Sequence, residues 1–367
     1  MLTKKLIISF LSSVVILLLL LFSVLYYVGW LRPVYQGASF VTLKVKRDAT
    51  LYHFSKQIQQ RGWVSSSLLV RCVAEIKGVR QIKRGEYLIR PGMTLAQLID
   101  NLSSAKGLVL HKITFIEGTT FRDYIERLNQ DDNIVHTLSS SRMDKAMQQL
   151  GLSDKYPEGL FFPDTYRFTW GTTDRVVLKM AYNKMQRVSK QLWKARSRSV
   201  PYASRYEALI AASMIQSEAG VDRERPIISS VIVNRLRKGM RLQIDPTVMY
   251  GLDIPFGGRL SRADLNSPNS YNTYRHAGLP PTPINMPGRS SIYAALHPSE
   301  TNFLYYVASH GRTHTFSSNY SQHKRAVKSY RKDRAWVESI AQKQCGVFRH
   351  VFMSHYAALV SWFFCFG

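Results

Sequence analysis

ALIAASMIQSEAG, residues 208–220, is a run of small and aliphatic residues that reaches a single carboxylate, Glu218, two positions before a glycine. Helical geometry puts Ala211, Met214 and Ile215 on the face that Glu218 shares. The spacing predicts a helix whose last turn carries Glu218 on or beside its buried side. A glutamate there loses water and meets the helix's terminal carbonyls, and both effects raise its pKa. A carboxylic acid held protonated near neutral pH can act as a general acid, so Glu218 is a candidate catalytic residue. The competing reading turns the side chain into solvent, as at most helix-end glutamates.

Downstream, RERPIISSVIVNRLRKG (223–239) reads as a second helix, with Pro226 near its first turn and Gly239 as its stop. A short turn between the two helices holds Glu218 at their junction. Residues 240–320 are loop-rich, with DPT, NSPNS, GLPPTPINMPG and HPSETN dense in Pro, Gly and Asn. Long ordered loops beside a rigid helix pair are where binding clefts form. Upstream, one unit recurs at 42–62, 87–104, 113–130 and 166–185: a short alternating strand, a turn, then a Thr placed to cap an amphipathic helix. The expected class is α+β, and the first pair of units is similar to LysM-like domains that bind cell-wall glycan.

The N-terminus predicts a compartment. After Lys4 and Lys5, an uncharged apolar run from Leu6 to Leu31 exceeds the roughly 20 residues that span a bilayer as a helix. No small-x-small cleavage pattern follows, so the run reads as a retained anchor with Tyr26, Tyr27 and Trp30 at the far interface. The expected organisation is a cytoplasmic stub (1–5), an anchor (6–31), a LysM-like α+β module (40–110), a second α+β segment with a basic linker (111–200), a mixed α/β catalytic domain with long loops (201–340) and an atypical apolar tail (345–367). The expected location is the bacterial inner membrane, single-pass, with the catalytic domain in the periplasm.

Fifty Lys and Arg against 24 Asp and Glu give a formal charge of +26, which favours an anionic partner. The basic residues are scattered and no zinc-finger or RNA-binding signature accompanies them, which argues against nucleic acid. Cys72, Cys345 and Cys365 have no metal-ligand spacing. Cys72 is expected in the core. A Cys345–Cys365 disulfide is compatible with an oxidising compartment, and nothing in the sequence requires it.

The motifs ASMIQSEAG (212–220), ISSVIVNRLRKGMRLQIDPTVMYGL (228–252), LSRADLNSPNSYNTYRHAGLPPTPINMPGRSSIYAALHP (260–298) and FLYYVASHGRTHTFSSNYSQH (303–323), with PEGLFFPDTYRF (157–168), follow one another in order. Together they resemble the endolytic murein transglycosylases, the YceG-like family. The resemblance implies a membrane-anchored lyase that cuts peptidoglycan strands internally between N-acetylmuramic acid and N-acetylglucosamine, near the peptidoglycan synthases (penicillin-binding proteins). It puts the catalytic glutamate on Glu218. Where the family usually reads Glu-Lys-Glu-Thr, this chain has Gln216, Ser217, Glu218 and Ala219.

Ordinary glycosidases need two carboxylates. A lytic transglycosylase needs one, because the C6 hydroxyl of the same sugar is the nucleophile. Within the matching motifs, Asp245, Thr247 and Tyr250 are candidate substrate-binding residues, against the reading of a plain Asp-Pro turn. Tyr271, Asn272, Thr273 and Tyr274 offer hydroxyls, an amide and ring faces to a sugar, against loop packing. His314 is a candidate hydrogen-bonding residue, although a lone histidine is more often structural. Glu158 and Asp164 are expected to brace a domain junction. No metal or cofactor is implied. A non-catalytic, membrane-anchored wall-binding scaffold is the alternative function.

Overall fold

The computed structural model describes residues 2–46, 49–138, 143–309 and 312–332. Cys345, Cys365 and the 345–367 tail lie outside the described residues. The chain is α+β, and it divides into two compact units. The first comprises residues 1–115, 122–153 and 164–181; the second comprises 116–121, 154–163 and the chain from 182 onward.

The first unit opens with α1 (Leu2–Tyr26). Together with one π-helical turn, Tyr27–Leu31, it is long and apolar enough to cross a bilayer. Its far end is packed. Tyr26 stacks on Trp30 at 5.9 Å, Trp30 joins the unit's core, and Gly29 is buried where a Cβ would lie 3.0 Å from Val73 Cγ2.

There follow β1 (Val41–Val45), α2 (Leu51–Gln60), α3 (Ser67–Ile76), β2 (Gly85–Ile89) and α4 (Leu95–Ser104). β1 and β2 pair antiparallel, with Val41 opposite Ile89 and Val45 opposite Gly85, so residues 41–89 run βααβ. The caps are the polar residues that precede each apolar periodicity. Thr50 accepts from His53 N–H at 3.3 Å, Ser66 from Leu68 N–H at 3.2 Å, and Thr94 forms a capping box with Gln97. Leu43, Val45, Phe54, Ile58, Val70, Val73, Leu98 and Leu102 fill the core. Cys72, expected there, is only half-buried, because Val70, Val73 and Ala74 occupy the inward face of α3.

The remaining two strand-then-helix segments give β3 (Leu110–Thr114) with α5 (Phe121–Asn129), and β5 (Thr165–Thr169) with the long α7 (Asp174–Lys194). β4 (Ile134–Val135), α6 (Met143–Leu150) and β6 (Thr172–Thr173) lie between them. β3 pairs antiparallel with β5, and β4 pairs parallel with β6. The Asp174 carboxylate accepts from Thr137 N–H at 2.8 Å and Leu138 N–H at 2.9 Å, which satisfies backbone donors that no strand takes.

In the second unit, α8 (Arg205–Glu218) is the central rod. Every residue from Ala208 to Ile215 is buried, so the helix has no solvent face over that stretch. Ser204 caps it by accepting from Glu207 N–H at 3.2 Å. Alanine and serine at 208, 211, 212 and 213 let neighbouring backbones come close. α9 (Arg225–Arg237) and α12 (Arg289–Leu296) pack on it, with α10 (Asp245–Gly251) and α11 (Arg262–Leu265) in the intervening loops. β7 (Tyr305–Ala308) and β8 (His314–Ser317) form an antiparallel hairpin with Tyr306 opposite Phe316.

Replacing Gly29 with Leu pushes the last turn of the apolar helix off Val73. The expected cost is about 1–3 kcal/mol, and hydrogen exchange should show amides of α3 around Val73 opening faster than in the wild-type chain.

Candidate active site

Glu218 is the last residue of α8, and Ala219 N–H closes the helix on the Ile215 carbonyl at 3.0 Å. Gly220 comes next at a close approach: a Cβ there would run into the carbonyl of Arg312. The Glu218 side chain is half-buried. Burial, reinforced by the negative charge of Asp245, pushes its pKa up to about 7, while a hydrogen bond from the Tyr306 hydroxyl pulls the other way. Glu218 is therefore partly protonated at neutral pH, able both to give a proton and to take one back.

Tyr306 comes from β7. Burial and the neighbouring Glu218 carboxylate hold its hydroxyl well above the usual tyrosine range, so it remains a neutral donor. Arg235, on α9, lies within electrostatic reach of Tyr306 and Tyr274. Its guanidinium donates to the carbonyls of Leu304 at 2.6 Å and Leu242 at 2.7 Å and lies 5.1 Å from the Tyr305 ring centroid. This cation ties the hairpin's first strand to the end of α9. Asp245, the exposed first residue of α10, accepts from Tyr274 Oη at 2.5 Å. Tyr274 is likewise raised far above its usual range, by burial first and then by Asp245.

His314, on β8, has a partner that sequence reasoning missed. Glu224, only 6% exposed, ends the 3-10 turn Asp222–Glu224 that links α8 to α9. Its carboxylate accepts from His314 N–H at 3.1 Å and meets His314 Nδ1 at 2.8 Å. The imidazole stands edge-on to Tyr306, ring centroids 5.3 Å apart. Glu224 lies in the quoted RERPII stretch, but nothing in that stretch marks it apart from its charged neighbours.

Gln216 has a definite place. Its Oε1 accepts from Ser291 Oγ at 2.8 Å, Gly288 N–H at 3.1 Å and Arg225 Nη1 at 3.4 Å. The amide oxygen thus takes three donors and fastens the last turn of α8 to the start of α12. Beside it, Asn285 donates to the Ser213 carbonyl at 2.9 Å and Ser217 Oγ at 2.7 Å.

The other sequence candidates separate into two sets. Thr247, Asn272 and Thr273 are buried and spend their groups internally. Thr247 Oγ1 and Thr273 Oγ1 are 2.9 Å apart, Thr273 Oγ1 accepts from Ile244 N–H at 3.0 Å, and Asn272 donates to the carbonyls of Leu265 and Ser267 at 3.0 and 2.8 Å. These three shape the loops that present Asp245 and Tyr274. Tyr250 and Tyr271 are half-buried, edge to face with centroids 5.0 Å apart, and burial raises both hydroxyl pKa values, that of Tyr271 to about 12. Glu158 is buried with both oxygens accepting from Phe121 N–H, at 3.0 and 3.2 Å, while Asp164 accepts from its neighbour Thr165 N–H at 2.7 Å.

The family model for the YceG-like family matches residues 43–329, which include every residue described above around Glu218. The chain belongs to the YceG-like family. It is similar to the endolytic murein transglycosylase of Bacillus subtilis strain 168, 29% identical over 324 residues that cover 83% of this chain and 89% of that protein. The protein of the same name from Streptococcus pneumoniae serotype 2 strain D39 is 23% identical over 327 residues, 80% of this chain and 58% of the pneumococcal one. Among solved structures, a YceG-like protein from Listeria monocytogenes superposes with a TM-score of 0.50 at 25% identity, covering 79% of this chain and 99% of that one. The α+β fold of this family member is therefore shared with a solved relative.

A carboxyl raised from 4.5 to about 7 holds a proton in the folded chain that the unfolded chain has lost across that window. Stability therefore falls as pH rises from about 4.5 to 7, and Glu218→Gln should be the more stable form above pH 7, by on the order of 2 kcal/mol. Urea melts of both proteins at several pH values should show the difference closing below pH 4.5. Gln216→Ala strands the Ser291 and Gly288 donors and is expected to lower stability by about 1–3 kcal/mol in the same assay.

Proposed function

We propose that this chain is an endolytic peptidoglycan lytic transglycosylase that cleaves the bond between N-acetylmuramic acid and N-acetylglucosamine and leaves 1,6-anhydro-muramic ends. The observation that carries the reading is Glu218, a carboxyl poised near pH 7 at the end of a buried helix, with a tyrosine hydroxyl directed at it. In the first half of the reaction Glu218 gives its proton to the leaving glycosidic oxygen, and the positive charge that grows on the sugar ring is balanced by the new carboxylate. In the second half the C6 oxygen of the muramic acid bonds to C1 and its proton returns to Glu218. No water is consumed, and the nucleophile is already tethered to the electrophile.

Tyr306 serves this cycle by donating to the carboxylate form, which favours the state reached midway. Asp245 acts oppositely, keeping the resting acid protonated. His314, held by Glu224, presents its ring edge beside Tyr306 and is read as a substrate-orienting group, with Tyr250, Tyr271 and Tyr274 supplying hydroxyls and ring faces for the glycan. The buried Thr247, Asn272 and Thr273 support the loops.

The apolar α1 supports single-pass anchoring in the bacterial inner membrane with the remainder in the periplasm, where nascent strands leave the peptidoglycan synthases. Cutting there limits strand length. The βααβ order of residues 41–89 supports a LysM-like, glycan-binding module next to the membrane.

Mass spectrometry of products from the detergent-solubilised chain and uncrosslinked peptidoglycan strands tests the reading. Internal fragments ending in 1,6-anhydro-muramic acid are expected from the wild type and none from Glu218→Gln. Hydrated reducing ends would make the protein a hydrolase, and strand binding without any product would make it a scaffold. Activity should fall as pH rises through about 7. Asp245→Asn removes the charge that helps to raise Glu218, so the decline should begin at lower pH in the pH profile of kcat/KM.

A further inference from the structure

The second unit carries a groove that the cleavage chemistry does not use. A cavity of about 600 Å³ opens at the N-terminal end of α8, walled by Tyr202, Tyr206, Leu236, Leu279, Pro280 and Pro281, with Ser204 and Glu207 among its polar lining. Tyr206 is twelve residues before Glu218 on α8, which puts the two positions about 18 Å apart along the helix axis.

The space between them is bridged by aromatic side chains. Tyr206 is in electrostatic reach of Tyr156 and Tyr271. Tyr156 Oη is 3.0 Å from Tyr250 Oη, and the residue is 41% exposed. Tyr271 Oη meets Thr282 Oγ1 at 2.8 Å, next to the prolines of the groove wall. At the other end, α10 carries both Tyr250 and Asp245, and Tyr274 bonds Asp245 beside Glu218. A phenol donates one hydrogen bond and accepts two, so hydroxyls chained to one another keep acceptor capacity for an incoming ligand. Half-buried rings with such tips suit a ligand with apolar ring faces and a rim of hydroxyls. Such a ligand is a sugar polymer.

We propose that this groove is a distal subsite for the glycan strand, joined to Glu218 by the line of tyrosines, so that the enzyme grips several sugars away from the bond it cuts. Gripping at a distance makes cleavage internal, because a strand too short to reach the groove gives up that binding energy. The inference rests on the glycan-cleaving reading above and names where on the chain the strand lies.

The test compares kcat/KM on long uncrosslinked strands with that on oligomers of about two disaccharides, using the full chain in detergent. Tyr206→Ala and Tyr156→Ala are each expected to lower the long-to-short ratio by about tenfold. Equal losses on both lengths, or an unchanged ratio, overturn the proposal. Strand pull-down on a Glu218→Gln background separates the two levels of argument. If Glu218→Gln binds long strands and adding Tyr206→Ala weakens that binding, the distal subsite stands. If Tyr206→Ala leaves binding unchanged, the subsite falls and the cleavage reading survives. If Glu218→Gln binds no strands at all, both fall.

Discussion

The burial of one carboxyl at the end of one helix is the constraint around which the second unit is arranged. A glutamate that gives up its water holds its proton more tightly unless something else stabilises its charge. Among the described residues, the Tyr306 hydroxyl gives partial relief and a second carboxylate, Asp245, stands within reach. The result is a group that neither ionises freely nor stays neutral. That balance requires a helix that does not move, and α8 meets the requirement by being enclosed on all sides from Ala208 to Ile215.

Around that rod the polar groups are paired so that few are left to compete for Glu218. His314 is committed to Glu224, Tyr274 to Asp245, and the Arg235 cation to backbone carbonyls. Gln216, two positions from the candidate acid, is directed the opposite way around the helix and bound to donors from Arg225, Gly288 and Ser291. A carboxylate would also satisfy these donors, but its charge would add to that of Asp245 in disfavouring the ionised form of Glu218. With an amide there, the oxygen acceptor is kept and the extra charge is absent.

Much of this was legible along the chain. The four strand-then-helix segments carry their own signals, alternation followed by a turn, a Thr and then helical periodicity, and each yields a strand and a helix. The apolar N-terminal run and the helix that ends at Glu218 follow from composition and spacing in the same way. The loop candidates were not separable by sequence. Thr247, Asn272 and Thr273 are hydrogen-bonding residues in the same motifs as Tyr250, Tyr271 and Tyr274, yet the first three turn inward to hold Ile244, Leu265 and Ser267 while the tyrosines stay half-exposed. Which way a loop residue faces depends on backbone hydrogen bonds to segments many residues away.

By itself the sequence determined the local elements and the position of the candidate acid within its helix, because these depend on neighbours within a turn or two. Only the tertiary structure decided what surrounds that acid. Tyr306 reaches Glu218 from 88 positions along the chain, Glu224 meets His314 at a separation of 90, and Tyr156 meets Tyr250 at one of 94. Those encounters are set by how the β7–β8 hairpin, the α8–α9 turn and the loops pack on a buried helix, and packing of that kind leaves no periodic mark in the residues that take part.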